Sequence, residues 1–490
     1  METSTLAFES VADLAIRLRE GSINSTSLVE QLLDRISKLD PQLHSFIAVM
    51  PERALAAARV ADITLKVGQD LGPLHGIPYA AKDLFDVRDM PTTAGTRLRE
   101  SHRAAADSAA VKKLTAAGMA LLGKTHTVQF ALGVVGINHD QGTPLNPWSS
   151  VPSAPGGSSS GSAVAVAAGL TPMALGTDTG GSVRVPAALC GIVGFKTTLG
   201  RISRAGVYPL SWTLDTVGVL TRSVQDAALV YQVLQGEDEN DPSTQSIATH
   251  GSDRDRHLQS SVRNVRLAFA ETIFFDNVDT EIETAVRNTG HEFRTLGAHL
   301  ESIAIPEIAE AQGDQARLLL ISAEACAINA DYLDQHFDSV DPVVAHRMIQ
   351  GRSLSATDYG ALLQRRAELQ RRIQRTLQDV DALLVPTTMI PAAPLSTIDQ
   401  SLDTYIAYNS QYNRNAMLGN YFNWCAVSVP CGFTQDGLPI GLMIYCKPFH
   451  EHVALRVAHA YEQATEWHLR RPNLAWAEEP SSSLRQVEFG

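Results

Sequence analysis

Between Gly118 and Gly236 the sequence switches repeatedly between two hydrophobic periods, and this alternation constrains the fold more than any other feature. "MALLGKT" (119–125) and "MALGTDT" (173–179) are apolar runs of strand length. "SAVAVAAG" (162–169) is a small-residue helix, "GSVRVPAAL" (181–189) a helix entrance, and "TRSVQDAALVYQVLQG" (221–236) a helix capped at its start and stopped by Gly236. Upstream, residues 10–38 predict two amphipathic helices. Val11, Leu14, Ala15 and Leu18 share a face of the first, and the capping signal "SLVE" (27–30) opens the second. "HGIPYAAKDLFDV" (75–87) predicts a strand with Lys82 in its middle, and "DSAAVKKLTAAG" (107–118) a helix ended by Gly118. Strands at 264–270 and 381–386 flank a mostly helical stretch, and "AVSVPCGF" with "PIGLMIYC" predicts a closing strand pair. Strands alternating with helices over most of the length predict an α/β fold around a large sheet, with a helical insert near 307–380 capping one edge. The polar stretch 236–257 predicts a surface loop, and no internal repeat is visible.

Composition removes several classes of function. A chain of 490 residues with 44% hydrophobic and 19% charged residues is globular and too apolar for disorder. A net charge of −13 argues against a basic nucleic-acid surface. Five cysteines, odd in number and without a CxxC pair, sit mostly in apolar runs and read as buried free thiols. No basic-then-apolar leader and no 18-residue apolar run is present, so a soluble cytoplasmic protein without a membrane partner is expected. "HEFRT" and "HEHVA" are both incomplete for HExxH; His450 and His452 read as a helix start, and neither a metal nor another cofactor is expected.

Two short motifs compete for the chemistry. "GMALLGKT" (118–125) satisfies the phosphate-loop pattern, with Lys124 and Thr125 in the binding positions. Residues 119–122 are themselves a buried strand, however, where a phosphate loop needs flexible backbone that can wrap an anion. "GSSSG" (157–161) satisfies GxSxG with Ser159 as nucleophile, but proline-broken loop precedes it instead of the buried strand that such an elbow requires. A third reading takes in a second Gly-Gly-Ser, residues 180–182, at a strand-to-helix transition. There the N–H groups of Thr179, Gly180, Gly181 and Ser182 could converge as an oxyanion hole.

The whole run from Gly156 to Thr198, GGSSSG through GTDTGGSVRVPAALCGIVGFKTT, resembles the signature of the amidase signature family. So do "GIPYAAKDLFDV", "TTAGT", "GINHDQGTPLNPW", "RISRAGVYPLSWTLDTVGVL", "LLVPTT" and "GLPIGLMI", and the resemblance extends over about residues 8–470. It implies a single domain, 1–490, whose large mixed central sheet is covered by helices. The signature core would span about 75–235 and 380–470, and the insert about 307–380. It further implies a serine–cis-serine–lysine triad: Ser182 as acylated nucleophile, Ser158 after a cis peptide bond as proton bridge, Lys82 as general base. Thr179, Gly180, Gly181 and Ser182 would supply the oxyanion donors, and a backbone carbonyl that touches the substrate amide falls near Ala131.

Lysine serves as a base only when burial lowers its pKa, and "IPYAAK" offers such burial. From the residues alone, Lys82 reads instead as a buried ion pair with Asp83 or another carboxylate. Asp178 and Arg184 read as a structural pair shaping the turn, and Ser159 as a supporting hydroxyl. Met389 with "TTMIPAAPL" reads equally as pocket lining or core. Ser160 replaces a glycine of the commoner GGSSGGS, and "GKTHTVQFALG" departs from the commoner GKTN–EFA. The activity implied is hydrolysis of a small-molecule amide, extending to esters, anilides or carbamates, without a nucleic-acid partner and compatible with a homodimer. The alternatives are the glutaminase subunit of a tRNA-dependent amidotransferase and nucleotide binding through Lys124 and Thr125.

Overall fold

The structure, a computed structural model, describes residues 6–245, 258–314 and 317–478. Eleven strands form one sheet among these residues, in the order β1-β3-β2-β4-β6-β5-β10-β11-β9-β7-β8. In chain order they are β1 (Phe46–Val49), β2 (Pro78–Lys82), β3 (Ala120–Thr125), β4 (Met173–Asp178), β5 (Val193–Lys196), β6 (Thr216–Thr221), β7 (Arg266–Ala270), β8 (His299–Ile303), β9 (Ala382–Pro386), β10 (Cys425–Phe433) and β11 (Pro439–Cys446). Pairs β2/β3, β2/β4, β7/β8 and β7/β9 are parallel and the rest antiparallel, so the sheet is mixed, as expected.

Every residue of β2, β3, β4, β5, β6, β9 and β11 is buried. Helices cover both faces, and strands wet on neither side read as continuous apolar runs instead of alternating ones. That explains which strands the pattern missed. β5 and β6 hide in stretches broken by glycine and threonine, and β8, largely exposed at the sheet's end, lacks an apolar run altogether. β1, four residues long, is too short to leave a pattern of its own.

Two local expectations are corrected. The second N-terminal helix, Ser25–Leu43, is capped by Asn24, whose side chain accepts from the Ser27 N–H, so "SLVE" lies inside the first turn. Lys82 is the last residue of its strand, not the middle, because the chain turns immediately after it: the N–H groups of Leu84 and Phe85 both return to the Lys82 carbonyl. Of the predicted loop 236–257, residues 246–257 lie outside the described residues. All five cysteines are free and buried. No helix among the described residues is long and apolar enough to cross a membrane.

Helices Pro306–Gly313, Arg317–Ile328, Ala330–Gln335, Pro342–Ile349 and Ala356–Thr376 make up the stretch before β9. Part of it forms a second apolar cluster apart from the main core: Leu320, Ile321, Ala325 and Met348 pack with Phe130, Ala131, Leu132, Leu210, Leu214 and Met417. This cluster lies over the Gly-Gly-Ser turn, since Ile321 and Met417 are the side chains nearest to Gly180.

Candidate active site

Two strand ends and one helix start build the site. β2 delivers Lys82 at its C-terminal end. β4, its parallel neighbour, delivers Thr177 and Asp178 and runs into the turn 179–183. Helix Ser160–Ala167 is preceded by the serine loop, in which the Gly157–Ser158 peptide is cis, as the resemblance implied. Gly156 has φ 74°, and a Cβ there would stand 2.7 Å from Pro186 Cα, so only glycine fits.

Lys82 Nζ donates to Ser158 Oγ and to Thr177 Oγ1, each at 2.8 Å. Lys82 and Ser158 are fully buried, and Ser182 is 4% exposed. Lys82 forms no ion pair among the described residues. Burial drives its pKa down to about 7, and the charges of Asp178 and Asp215 offset only part of that. The alternative weighed for Lys82, a pairing with Asp83, is not found, because Asp83 is ion-paired with Lys124. Ser159 N–H donates to the Ser182 carbonyl at 3.2 Å, joining the two serine loops. The Ser182 hydroxyl has no hydrogen-bond partner among the described residues.

Asp178 shapes the turn. It accepts from the N–H groups of Gly181 (2.9 Å) and Val183 (3.1 Å) and pairs with Arg184 at 2.9 Å. The Arg184 charge holds the Asp178 carboxyl well below the usual carboxylate range despite complete burial, and Asp178 in turn raises Arg184. Asn420 and Tyr445 complete the guanidinium's shell at 2.7 and 2.8 Å. The structural pairing read from the sequence therefore holds. Gly181 has φ 117° and a Cβ there would meet Ala416 Cβ at 2.6 Å. Its N–H is committed to Asp178, whereas those of Thr179, Gly180 and Ser182 have no partner among the described residues. Ala131, at φ 60°, sits in the apolar cluster above, and its carbonyl accepts from the Gly133 N–H at 3.3 Å.

Ser159 is fully buried, with its hydroxyl on the Thr177 backbone at 3.3 Å, a support and not an exposed nucleophile. Lys124 and Thr125 lie inside the buried strand β3. Lys124 also donates to the Pro91 carbonyl (2.6 Å), and Thr125 Oγ1 bonds Ser162 Oγ (2.7 Å), so the phosphate-loop match is overturned. His126 is buried with Nδ1 unpartnered, and burial lowers its pKa to about 4. His450 immediately precedes helix Glu451–Ala464, as read. Met389 is buried, its backbone tied to Asp279 and Gln411, and the following Ile390 and Ala392 pack into the main core. No group of three or more His, Cys, Asp or Glu that could hold a metal occurs among the described residues.

Sequence reasoning missed Thr177 and Asp215. Asp215 accepts from Thr179 Oγ1 at 2.6 Å and from the N–H groups of Leu210 and Ser211 at 2.9 Å, fixing the start of the turn. A cavity of about 210 Å³ reaches this place, lined in part by Thr177, Thr179, Asp215, Tyr208 and Trp212. Thr177 stands one position before the quoted Asp178, but its tie to Lys82 comes from strand adjacency, which no local pattern encodes.

Known proteins resemble this chain over nearly its whole length. The family model described as Amidase matches residues 27–455. The chain is 36% identical over 482 residues to a glutamyl-tRNA(Gln) amidotransferase component of Chloroflexus aggregans, covering 94% of this chain and 97% of that protein. It is also 36% identical over 460 residues to a 2-amino-5-chloromuconic acid deaminase of Comamonas testosteroni, covering 92% and 94%. Among solved structures, the native peptide amidase of Stenotrophomonas maltophilia superposes with a TM-score of 0.82 at 29% identity, covering 95% of this chain and 98% of that one. A 6-aminohexanoate cyclic dimer hydrolase superposes with a TM-score of 0.86 at 25% identity, covering 96% and 99%.

Proposed function

Because this chain belongs to the amidase signature family, and is thereby an amidase that hydrolyses carbon–nitrogen bonds, we propose that it works through an acyl-enzyme on Ser182, with Ser158 as proton bridge and Lys82 as general base. One observation carries the reading: a fully buried lysine whose two side-chain partners are hydroxyls, Ser158 and Thr177, and not a carboxylate. Neutral Lys82 draws a proton from Ser158, which takes one from Ser182 as its Oγ attacks the amide carbonyl. The oxyanion is received by the N–H groups of Thr179, Gly180 and Ser182. Gly181, grouped with them from the sequence, serves by holding the turn on Asp178. Lys82 then returns its proton through Ser158 to the departing amine. Water hydrolyses the ester by the same relay in reverse.

In this reading one domain carries the activity, with the signature core at about 75–235 and 380–470 and the insert at about 307–380 over the site; the Ala131 carbonyl meets the substrate amide. The enzyme acts in the cytoplasm on a small-molecule amide, without nucleic acid, membrane or cofactor, and is compatible with a homodimer. Fluorophosphonate labelling tests it. The label is expected on Ser182, and Ser182→Ala is expected to retain the fold and lose turnover of every substrate. Labelling of Ser159 instead would overturn the assignment.

The amidotransferase components among the relatives favour a second reading, a glutaminase that needs partner chains. The purified chain decides between them: hydrolysis of simple amides by the chain alone supports the free-standing enzyme, and activity only with added partner chains supports the other.

A further inference from the structure

The insert helix Arg317–Ile328 and the long helix Leu402–Tyr421 meet over the glycine turn. Each brings two residues one turn apart to the meeting: Arg317 with Ile321, and Met417 with Tyr421. Ile321 Cδ1 and Met417 Cγ stand 3.9 and 3.8 Å from where a Cβ on Gly180 would be. Arg317 Nη1 contacts Met417 Sδ at 3.5 Å, so a single methionine side chain separates the guanidinium from Gly180.

Arg317 is only 4% exposed and has no carboxylate in ion-pair contact among the described residues. Nη2 donates to the Gln312 side-chain oxygen, and the buried Nε has no acceptor among the described residues. The Tyr421 hydroxyl is likewise buried without a partner among the described residues. Burial lowers the Arg317 pKa, and Tyr421 and then Asp314 offset only part of that. Other buried arginines are treated differently: Arg184 faces Asp178 at 2.9 Å and Arg201 faces Glu451 at 3.2 Å. A buried cation with no counter-charge in contact is unfavourable unless a ligand supplies one, and a guanidinium fork fits a carboxylate.

We propose that Arg317 and the Tyr421 hydroxyl form a subsite for a carboxylate carried on the acyl part of the amide substrate. This rests on the amidase reading above. In that reading the amine departs toward Ser158 and Lys82, which return its proton, so the acyl chain extends to the opposite wall, where Met417 and Ile321 stand. A monoamide of a short dicarboxylic acid has the matching shape. Its carbonyl sits at Gly180, its apolar chain lies along Met417 and Ile321, and its carboxylate reaches Arg317.

The test compares kcat/KM for succinamic, glutaramic and adipamic acids with that for butyramide, pentanamide and hexanamide. The charged set is expected to be preferred by about a hundredfold. Arg317→Gln is expected to lower that preference by about a hundredfold, chiefly through KM, and Arg317→Lys to keep part of it. Tyr421→Phe, which removes one oxygen and keeps the packing, is expected to lower it about tenfold and serves where Arg317→Gln fails to fold. A wild-type enzyme that hydrolyses both sets equally, or a preference that neither Arg317→Gln nor Tyr421→Phe changes, overturns the subsite and leaves the amidase reading standing. Preference for N-acyl amino acids over the monoamides would put the anion on the departing amine and overturn it as well. Failure to hydrolyse any amide, with Ser182 unlabelled by fluorophosphonate, would remove the catalytic reading and the subsite with it.

Discussion

Lys82 and Lys124 occupy adjacent parallel strands, with Ala81 opposite Lys124 and Lys82 opposite Thr125 in the register. The two lysines therefore point to opposite faces of the sheet. Both are buried, and burial lowers the pKa of each. On one face Lys124 meets Asp83, the Pro91 carbonyl and Thr92 Oγ1, and the Asp83 charge opposes the lowering that burial causes. On the other Lys82 meets two hydroxyls, one of them on the cis-peptide serine, Ser158. Lys196 sharpens the contrast: burial brings it too to about 7, yet it donates to the carbonyls of Thr197 and Trp424, which have no proton to give. Burial makes a lysine's proton easy to lose, but only a hydroxyl partner makes that loss useful.

The largest expected effect follows from exchanging those roles. Lys82→Ala should lower amide turnover by about three to five orders of magnitude and narrow the amide-to-ester ratio, because an amine leaving group needs the returned proton more than an alkoxide does. In the wild type, kcat/KM should rise with pH as Lys82 loses its proton near pH 7 and reach a plateau in the alkaline range; the acid limb should vanish in Lys82→Ala. If the variant keeps that limb, the base is another group and the comparison collapses.

Lys124→Met should affect stability instead. It leaves the Asp83 carboxylate buried and unpaired, a loss of about 3–5 kcal/mol measurable by denaturant unfolding. The folded fraction should keep its acid limb near pH 7, since the hydroxyl partners of Lys82 are untouched. A limb that moves would show that the two faces are coupled.

A smaller effect is expected for Thr177→Val, which removes one acceptor from Lys82. The charged form depends on acceptors more than the neutral one, so the acid limb should shift below that of the wild type while turnover falls about tenfold.

The smallest concerns the tie between the site loop and the insert, where His139 lies between Asp341 (2.5 Å) and Asp399 (2.9 Å). The hydrogen bond to Asp341, the largest cause, raises the His139 pKa to about 9. A raised histidine pKa stabilises fully below the unfolded value, near pH 6.5, and that contribution is lost as pH rises through about 9. His139→Gln should therefore lower Tm slightly at about pH 6 and leave it unchanged above about pH 10. A difference that grows with pH would contradict this.

Much of the fold was readable because buried strands and small-residue helices leave distinct local patterns. "MALLGKT" is β3 and "MALGTDT" becomes β4, each placed by its apolar run. The strands that escaped lacked that signal: β8 is mostly solvent-facing, and β5 and β6 are interrupted by glycine and threonine. Lys82, Ser158 and Ser182 were legible as members of a long motif, not as chemistry, for nothing local separates Lys82 from an ion-paired lysine.

The sequence by itself determined the α/β class, the two Gly-Ser turns and the polarity of Asp178 and Arg184 around the second of them, because each depends on residues close together in the chain. Only the tertiary structure decided which partners each lysine would meet. Asp83 follows Lys82 directly in the chain yet pairs with Lys124, 41 positions away, while Thr177, 95 positions away, reaches Lys82 through strand adjacency. It also decided that Arg317 would lie one methionine from Gly180. A charge buried in the interior takes its character from what lies within hydrogen-bond reach, and that set is assembled by packing between segments that no local sequence period connects.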